Sequence, residues 1–285
     1  MFVEINGVRL FFDVLNPKLE IEGAGLKERP TLVCIPGGPG GDHQTMRPFF
    51  DRFAGVAQVV YLDARGGGRS GHGDPSRWTL EQWGDDIAAF CDALGIEKPV
   101  VLGTSGGSLM VQAYLARHPA HARGAVLINA CSRMVQDEII AAYERFGGPD
   151  AAKAARAMYG TARPEDYAAF MRLCLPLYSA KRDLSSLAAA RGRATMNPAA
   201  GQHFFAPAGE AWLFDHRAAL ARVESPALVA IGDLDPVTPA KWGREVAAAL
   251  PHGELLAFEN ASHLLNADEP EKLTASVEAF IRRIA

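Results

Sequence analysis

The sequence predicts an α/β architecture: a mostly parallel twisted sheet with helices on both faces and a helical segment inserted between two of its strands. Three observations carry this. Short continuous apolar runs alternate with stretches whose apolar residues recur at i, i+3 and i+4, the pattern of buried parallel strands and the helices that cover them. The alternation stops after Ala130 and resumes at Ala227. Between them lies a stretch rich in Ala and Arg, helical in spacing and without a clear strand. The expected division is a core of 1–131 and 218–285 with a helical lid of 132–217.

Taken in order, Phe2 to Ile5 and Val8 to Leu15 read as strands joined at Asn6-Gly7, a strong hairpin signal. Residues 16–30, with Pro17, Gly23, Gly25 and Pro30, read as a loop. Thr31 to Ile35 is a short apolar strand that stops at Pro36-Gly37-Gly38-Pro39-Gly40. Val56 to Leu62 is the next strand, followed by the glycine-rich DARGGGRS of 63–70. Thr79 to Leu94 is a helix, with Thr79 as N-cap, Gly95 just past its end, and Leu80, Trp83, Ile87, Phe90 and Leu94 on its apolar face. Val100 onward forms another strand and a helix to about His118, then a strand at Ala125 to Ala130. After the lid come the strand Ala227 to Ile231, a helix from Pro239 to Leu250, the strand Glu254 to Phe258 and a helix from Glu269 to Ile284.

Composition narrows the function classes. With 285 residues, 48% of them apolar, the chain has ample core. A net charge of −4 and the absence of a long basic run give nucleic acid or an anionic membrane no electrostatic foothold. No run of 18 apolar residues offers a membrane span, and MFVEINGVRL lacks the pattern of a signal peptide, so a cytoplasmic location is expected. Cys34, Cys91, Cys131 and Cys174 lie far apart and read as reduced thiols. No metal-ligand spacing is present, and no metal or organic cofactor is implied.

The stretch VVLGTSGGSLM, from Val100 to Met110, passes from a strand through a tight turn into a helix, with Ser105 at the turn. Gly-x-Ser-x-Gly in that context is the nucleophile-elbow signature. Gly103 and Gly107 leave room where a Cβ would strike the neighbouring strand or helix, and the helix N-terminus favours developing negative charge. A serine hydroxyl needs a base oriented by a carboxylate. Asp235, in the GDLDPVTP turn just past a strand, is the first choice for the acid, and Asp233 is the second. His263, in ENASH after the last strand, is the base. The amides of Gly106 and Gly38 would hold an oxyanion, with Gly37 as fallback for the second. PGGPGG lacks the Lys-Ser/Thr that a phosphate-binding loop would add. Asp63 and Arg65 are expected to tie their loop to its neighbours.

Together, PGGPG at 36–40, DARGGGRS, GTSGGS at 103–108, GDLDPVTP and NASH resemble the α/β-hydrolase fold and, within it, the proline iminopeptidase family. Two positions depart from that family's usual pattern. Pro36 stands where the family usually has His, and Gly106 where it often has Trp. The resemblance implies a serine hydrolase working through an acyl-enzyme on a small-molecule or short-peptide substrate and releasing an N-terminal proline or small residue. It also implies that lid carboxylates hold the substrate ammonium; Glu138, Glu144, Glu165 and Asp166 are available. Trp212 and other lid aromatics would line an apolar pocket. Such a pocket suits a carboxylesterase or lactonase equally, and a non-catalytic ligand-binding protein is the remote alternative.

Overall fold

The computed structural model describes residues 1–160 and 164–285. Its strands are β1 (Phe2–Ile5), β2 (Val8–Val14), β3 (Leu19–Glu22), β4 (Gly25–Glu28), β5 (Thr31–Ile35), β6 (Gln58–Leu62), β7 (Val100–Thr104), β8 (Gly124–Ile128), β9 (Ala227–Gly232) and β10 (Gly253–Phe258). Eight of them form one sheet in the order β1-β2-β6-β5-β7-β8-β9-β10. The hairpin β1–β2 joins β6 antiparallel, and all pairs from β6 to β10 are parallel. Strands β5, β7, β8 and β9 are buried nearly end to end, as expected of a parallel sheet covered on both faces.

The helices of the core are α1 (Leu80–Ala93) and α2 (Gly106–Arg117). Between β8 and β9 lie α3 (Gln136–Gly147), α4 (Pro149–Gly160), α5 (Pro164–Leu173), α6 (Ser185–Arg193), α7 (Pro198–Phe204) and α8 (Arg217–Leu220). The chain ends with α9 (Ala240–Ala249), α10 (Leu265–Asp268) and α11 (Pro270–Ile284). One apolar layer gathers Trp83, Ile87, Phe90, Tyr114 and Trp242 from α1, α2 and α9. The opposite layer gathers Phe50, Phe53, Leu273, Val277 and Phe280. Thr79 caps α1 by accepting from Gln82 N at 3.2 Å.

Two expectations need adjustment. Residues 16–30 are not simply a loop: β3 and β4 pair there as a separate two-stranded hairpin. Ile21 and Leu26 on it are exposed, so no burial pattern marked the strands. The strand expected from Val56 starts at Gln58, because a 3-10 helix over Phe49–Gly55 runs up to it. All four cysteines are buried and free; burial pushes the Cys91 and Cys174 thiols up to about 12 and holds Cys34 and Cys131 higher still. Among the described residues no helix is long and apolar enough to cross a membrane.

Candidate active site

Consecutive neighbours in the sheet end at one edge, and each delivers one polar residue there. Ser105 follows β7, Asn129 follows β8, Asp235 follows β9 and His263 follows β10. This is the carboxyl edge, where open parallel sheets place ligands. Ser105 sits at φ 51°, ψ −120°, a strained conformation for a residue with a Cβ. Its amide donates to Ile128 O at 2.8 Å, and its carbonyl accepts from the Ser108 amide and hydroxyl at 2.8 and 2.6 Å. The sharp turn is possible because β7 and α2 nearly touch: a Cβ on Gly103 would stand 2.4 Å from Gly107 O.

His263 Nε2 lies 3.0 Å from Ser105 Oγ, and its Nδ1 lies 2.7 Å from Asp235 Oδ2. Asp235 is 1% exposed and fully supplied with donors. Its carboxylate accepts from Asn129 Nδ2 (3.0 Å), the Thr238 hydroxyl (2.7 Å) and the Val237 and Thr238 amides (2.7 and 3.0 Å). Those bonds hold a buried charge that would otherwise be costly and fix the face it turns to the imidazole. Asp233, the second choice from sequence, instead meets Arg244 at 2.8 Å. Asn129 and Thr238 were missed by sequence reasoning. The signal for Asn129 was its place immediately after a strand that ends at the same edge.

The loop after β5 lies directly against the elbow. Gly38 has φ +70°, and a Cβ built on Gly106 would stand 2.8 Å from Gly38 N. Residue 38 thus abuts residue 106, next to the serine in the chain, and as the first residue of α2 Gly106 has no intrahelical partner for its N–H. Gly37 packs on the same turn: its Cβ would stand 3.3 Å from Ser105 Cβ. Behind this loop, Asp63 accepts from the His43 amide at 2.9 Å and the Arg69 amide at 3.0 Å, and lies 2.8 Å from His43 Nδ1. Arg65 reaches α1 instead, pairing with Asp86 at 2.7 and 2.9 Å in the interior. Both residues therefore brace the glycine-rich loop.

The helical segment approaches His263 through Tyr178, whose ring meets the imidazole edge-on at 5.2 Å between centroids. The Leu264 amide donates to Tyr178 O at 2.7 Å, and the Ser262 hydroxyl to Leu177 O at 2.6 Å. Burial pushes the Tyr178 phenol up to about 12. Of the four carboxylates considered for an ammonium, Glu138 pairs with Lys241 of α9 at 2.7 Å, and Glu144 lies on the exposed side of α3. Glu165 is exposed on α5, and Asp166 beside it is buried. Trp212 meets Tyr159 and Phe205 edge-on in the segment's own aromatic cluster and donates its indole N–H to Ala206 O at 3.1 Å.

A family model described as the alpha/beta hydrolase fold matches residues 30–270. The chain belongs to the alpha/beta hydrolase fold family. It is a hydrolase, and relatives with this fold include peptidases, esterases and lactonases. One curated relative, the proline iminopeptidase PfmaB of Pestalotiopsis fici, is 24% identical over 295 residues and covers 99% of both chains. Among solved structures, VinJ superposes with a TM-score of 0.81 at 22% identity, covering 100% of this chain and 98% of the other. The enol-lactonase from Burkholderia xenovorans LB400 gives 0.73 at 24% identity, covering 99% of this hydrolase and 100% of that chain. Both superpositions are statements about the shared fold.

Proposed function

We propose that this hydrolase works by serine nucleophilic catalysis through an acyl-enzyme. The observation that carries the reading is the unbroken chain of contacts from Ser105 Oγ to His263 Nε2 at 3.0 Å and from His263 Nδ1 to Asp235 Oδ2 at 2.7 Å. Ser105 attacks a carbonyl carbon while His263 takes the hydroxyl proton. Asp235 holds the tautomer and stabilises the imidazolium. The Gly106 and Gly38 amides donate to the developing oxyanion. His263 returns the proton to the leaving group, and water, deprotonated by the same imidazole, releases the acid. Residues 132–217 act as the lid over this edge and shape the acyl pocket.

The first substrate reading is release of an N-terminal residue from a short peptide. It is supported by the full-length similarity to a curated proline iminopeptidase. The second is hydrolysis of a small ester or lactone. It is favoured by the engagement of Glu138 with Lys241 and the exposure of Glu144, which leave those two out of an ammonium site. A paired assay separates them: proline β-naphthylamide beside p-nitrophenyl butyrate, with Ser105→Ala as control and fluorophosphonate labelling of the wild type. Labelling of Ser105 and its loss in the variant are expected. Turnover that persists in Ser105→Ala overturns the mechanism, and cleavage of the ester alone retires the peptidase reading.

A further inference from the structure

We infer that Asn197 is a positioning residue that holds the oxyanion loop, and with it the Gly38 amide, from within the helical segment. The inference rests on the reading of Gly38 as an oxyanion donor. Asn197 joins three separate stretches of chain. Its amide donates to Gly40 O at 2.8 Å, its side-chain Nδ2 donates to Gly66 O at 2.8 Å, and its Oδ1 accepts from Ala199 N at 3.2 Å, capping α7. The approach to the loop is very close. A Cβ on Gly40, which has φ +93°, would stand 2.2 Å from Asn197 O. Two residues earlier in the segment, the Thr195 amide donates to Asp42 Oδ2 at 2.8 Å.

Gly38 itself has little to fix it. No atom lies within 4 Å of where its Cβ would point, and its φ of +70° is one that glycine alone adopts without strain. Its placement is therefore inherited from its neighbours, Gly37 packed on the elbow and Gly106 on one side and the pinned Gly40 on the other. The chemistry at 197 is specific. Only a side chain with an acceptor at cap distance and a donor on the same planar head can serve Ala199 N and Gly66 O together. Aspartate has the acceptor and no donor, and serine keeps the cap but is too short to reach Gly66. Losing the Gly66 bond frees residue 197 to move, and its backbone bond to Gly40 O carries that movement into the loop, displacing an oxyanion donor without touching the serine or the histidine, so the consequence falls on the transition state.

The test compares Asn197→Ser and Asn197→Asp with the wild type, using a fluorophosphonate probe whose P–O oxygen occupies the oxyanion site. The maximal inactivation rate is expected to fall about tenfold in both, since misplacements approaching 1 Å can cost up to 10²-fold. The probe's reversible affinity stays within twofold, and phenylboronic acid, which forms a tetrahedral adduct on the serine, loses affinity in parallel. Thermal midpoints stay close to wild type because the α7 cap survives. Unchanged inactivation and boronate binding in both variants overturn the inference. So does a loss confined to probe affinity, which would assign Asn197 to pocket shape. Ser105→Ala in the same series keeps the two readings apart. Labelling that persists there sinks the serine mechanism. Its abolition there beside wild-type behaviour at 197 sinks the positioning role alone.

Discussion

A single methyl group at residue 106 probes a crowded contact in the candidate site. In Gly106→Ala the new Cβ would stand 2.8 Å from Gly38 N, 3.0 Å from its Cα and 3.1 Å from its carbonyl carbon. Ordinary van der Waals contact begins near 3.4 Å, so the oxyanion loop must retreat by about 0.6 Å. All three neighbours are backbone, and the loop is pinned behind at Gly40, so a side chain cannot simply rotate away. A misplacement of 1 Å can cost 10²-fold; this one should cost about tenfold in kcat, or ~1.4 kcal/mol of barrier. The helix offsets part of the strain on folding. Gly106 opens α2 with an ordinary negative φ, and alanine is the better helix former. The assay pairs kcat on p-nitrophenyl butyrate with a thermal melt. A tenfold slower enzyme that stays folded, with a Tm lower by only a few degrees, is expected. Wild-type kcat in a folded Gly106→Ala protein would refute the argument that this close approach sets the oxyanion donor. By the same logic Gly106→Trp, which matches the residue common among resembling peptidases, is expected to lose activity rather than gain it.

Two further predictions concern stability. His216 is held neutral, its pKa lowered to about 4 by burial, and its Nδ1 has no hydrogen-bond partner among the described residues. The unfolded chain takes up a proton near pH 6.5 that the folded one refuses until about 4. Stability therefore falls as pH drops through that window, by about 2 kcal/mol at pH 5. Urea midpoints at pH 7 and 5 should converge in His216→Asn, and an equal acid loss in both proteins would rule this source out. Asp86 is buried against Arg65 and also receives hydrogen bonds from Asn6 and Gln82 at 2.9 and 2.7 Å. Asp86→Ala strands the guanidinium and should cost about 3–5 kcal/mol in chemical denaturation, whereas a loss below 1 kcal/mol would mean water reaches Arg65.

Sequence pattern carried the core because burial there leaves a periodic trace. β5, β7, β8 and β9 are unbroken apolar runs, and the amphipathic spacing of α1 marked its buried face. The positions of Ser105, Asp235 and His263 were legible because each lies within five residues of a strand end and the topology aligns strand ends. The β3–β4 hairpin left no trace, since its apolar residues face solvent. Asn129, Thr238 and Asn197 act through a few hydrogen bonds, to partners from 3 to 131 positions away along the chain, and such bonds have no periodicity. The helical segment illustrates the same limit. Its carboxylates and aromatics were readable as residue types, but whether Glu138 faces a substrate or Lys241 depends on how helices pack.

The order in which the site's members occur along the chain bears on how such a hydrolase can be remade. Ser105 and Asn129 precede the helical segment, and Asp235 and His263 follow it, so the candidate site and the inserted segment are nearly separate cassettes. The segment leaves and re-enters the core at adjacent points, with the His216 amide donating to Ser132 O at 3.0 Å across the two crossings. A graft joined at those crossings would meet the sheet at its existing ports and leave the register of all four strands alone. The separation fails where the segment grips the core, at Asn197 and Thr195 against the loop of Gly40 and Asp42 and at Leu177 and Tyr178 against Ser262 and Leu264. A replacement segment that lacks an equivalent anchor at Gly40 would inherit the serine and the histidine intact and still receive a loosened oxyanion loop.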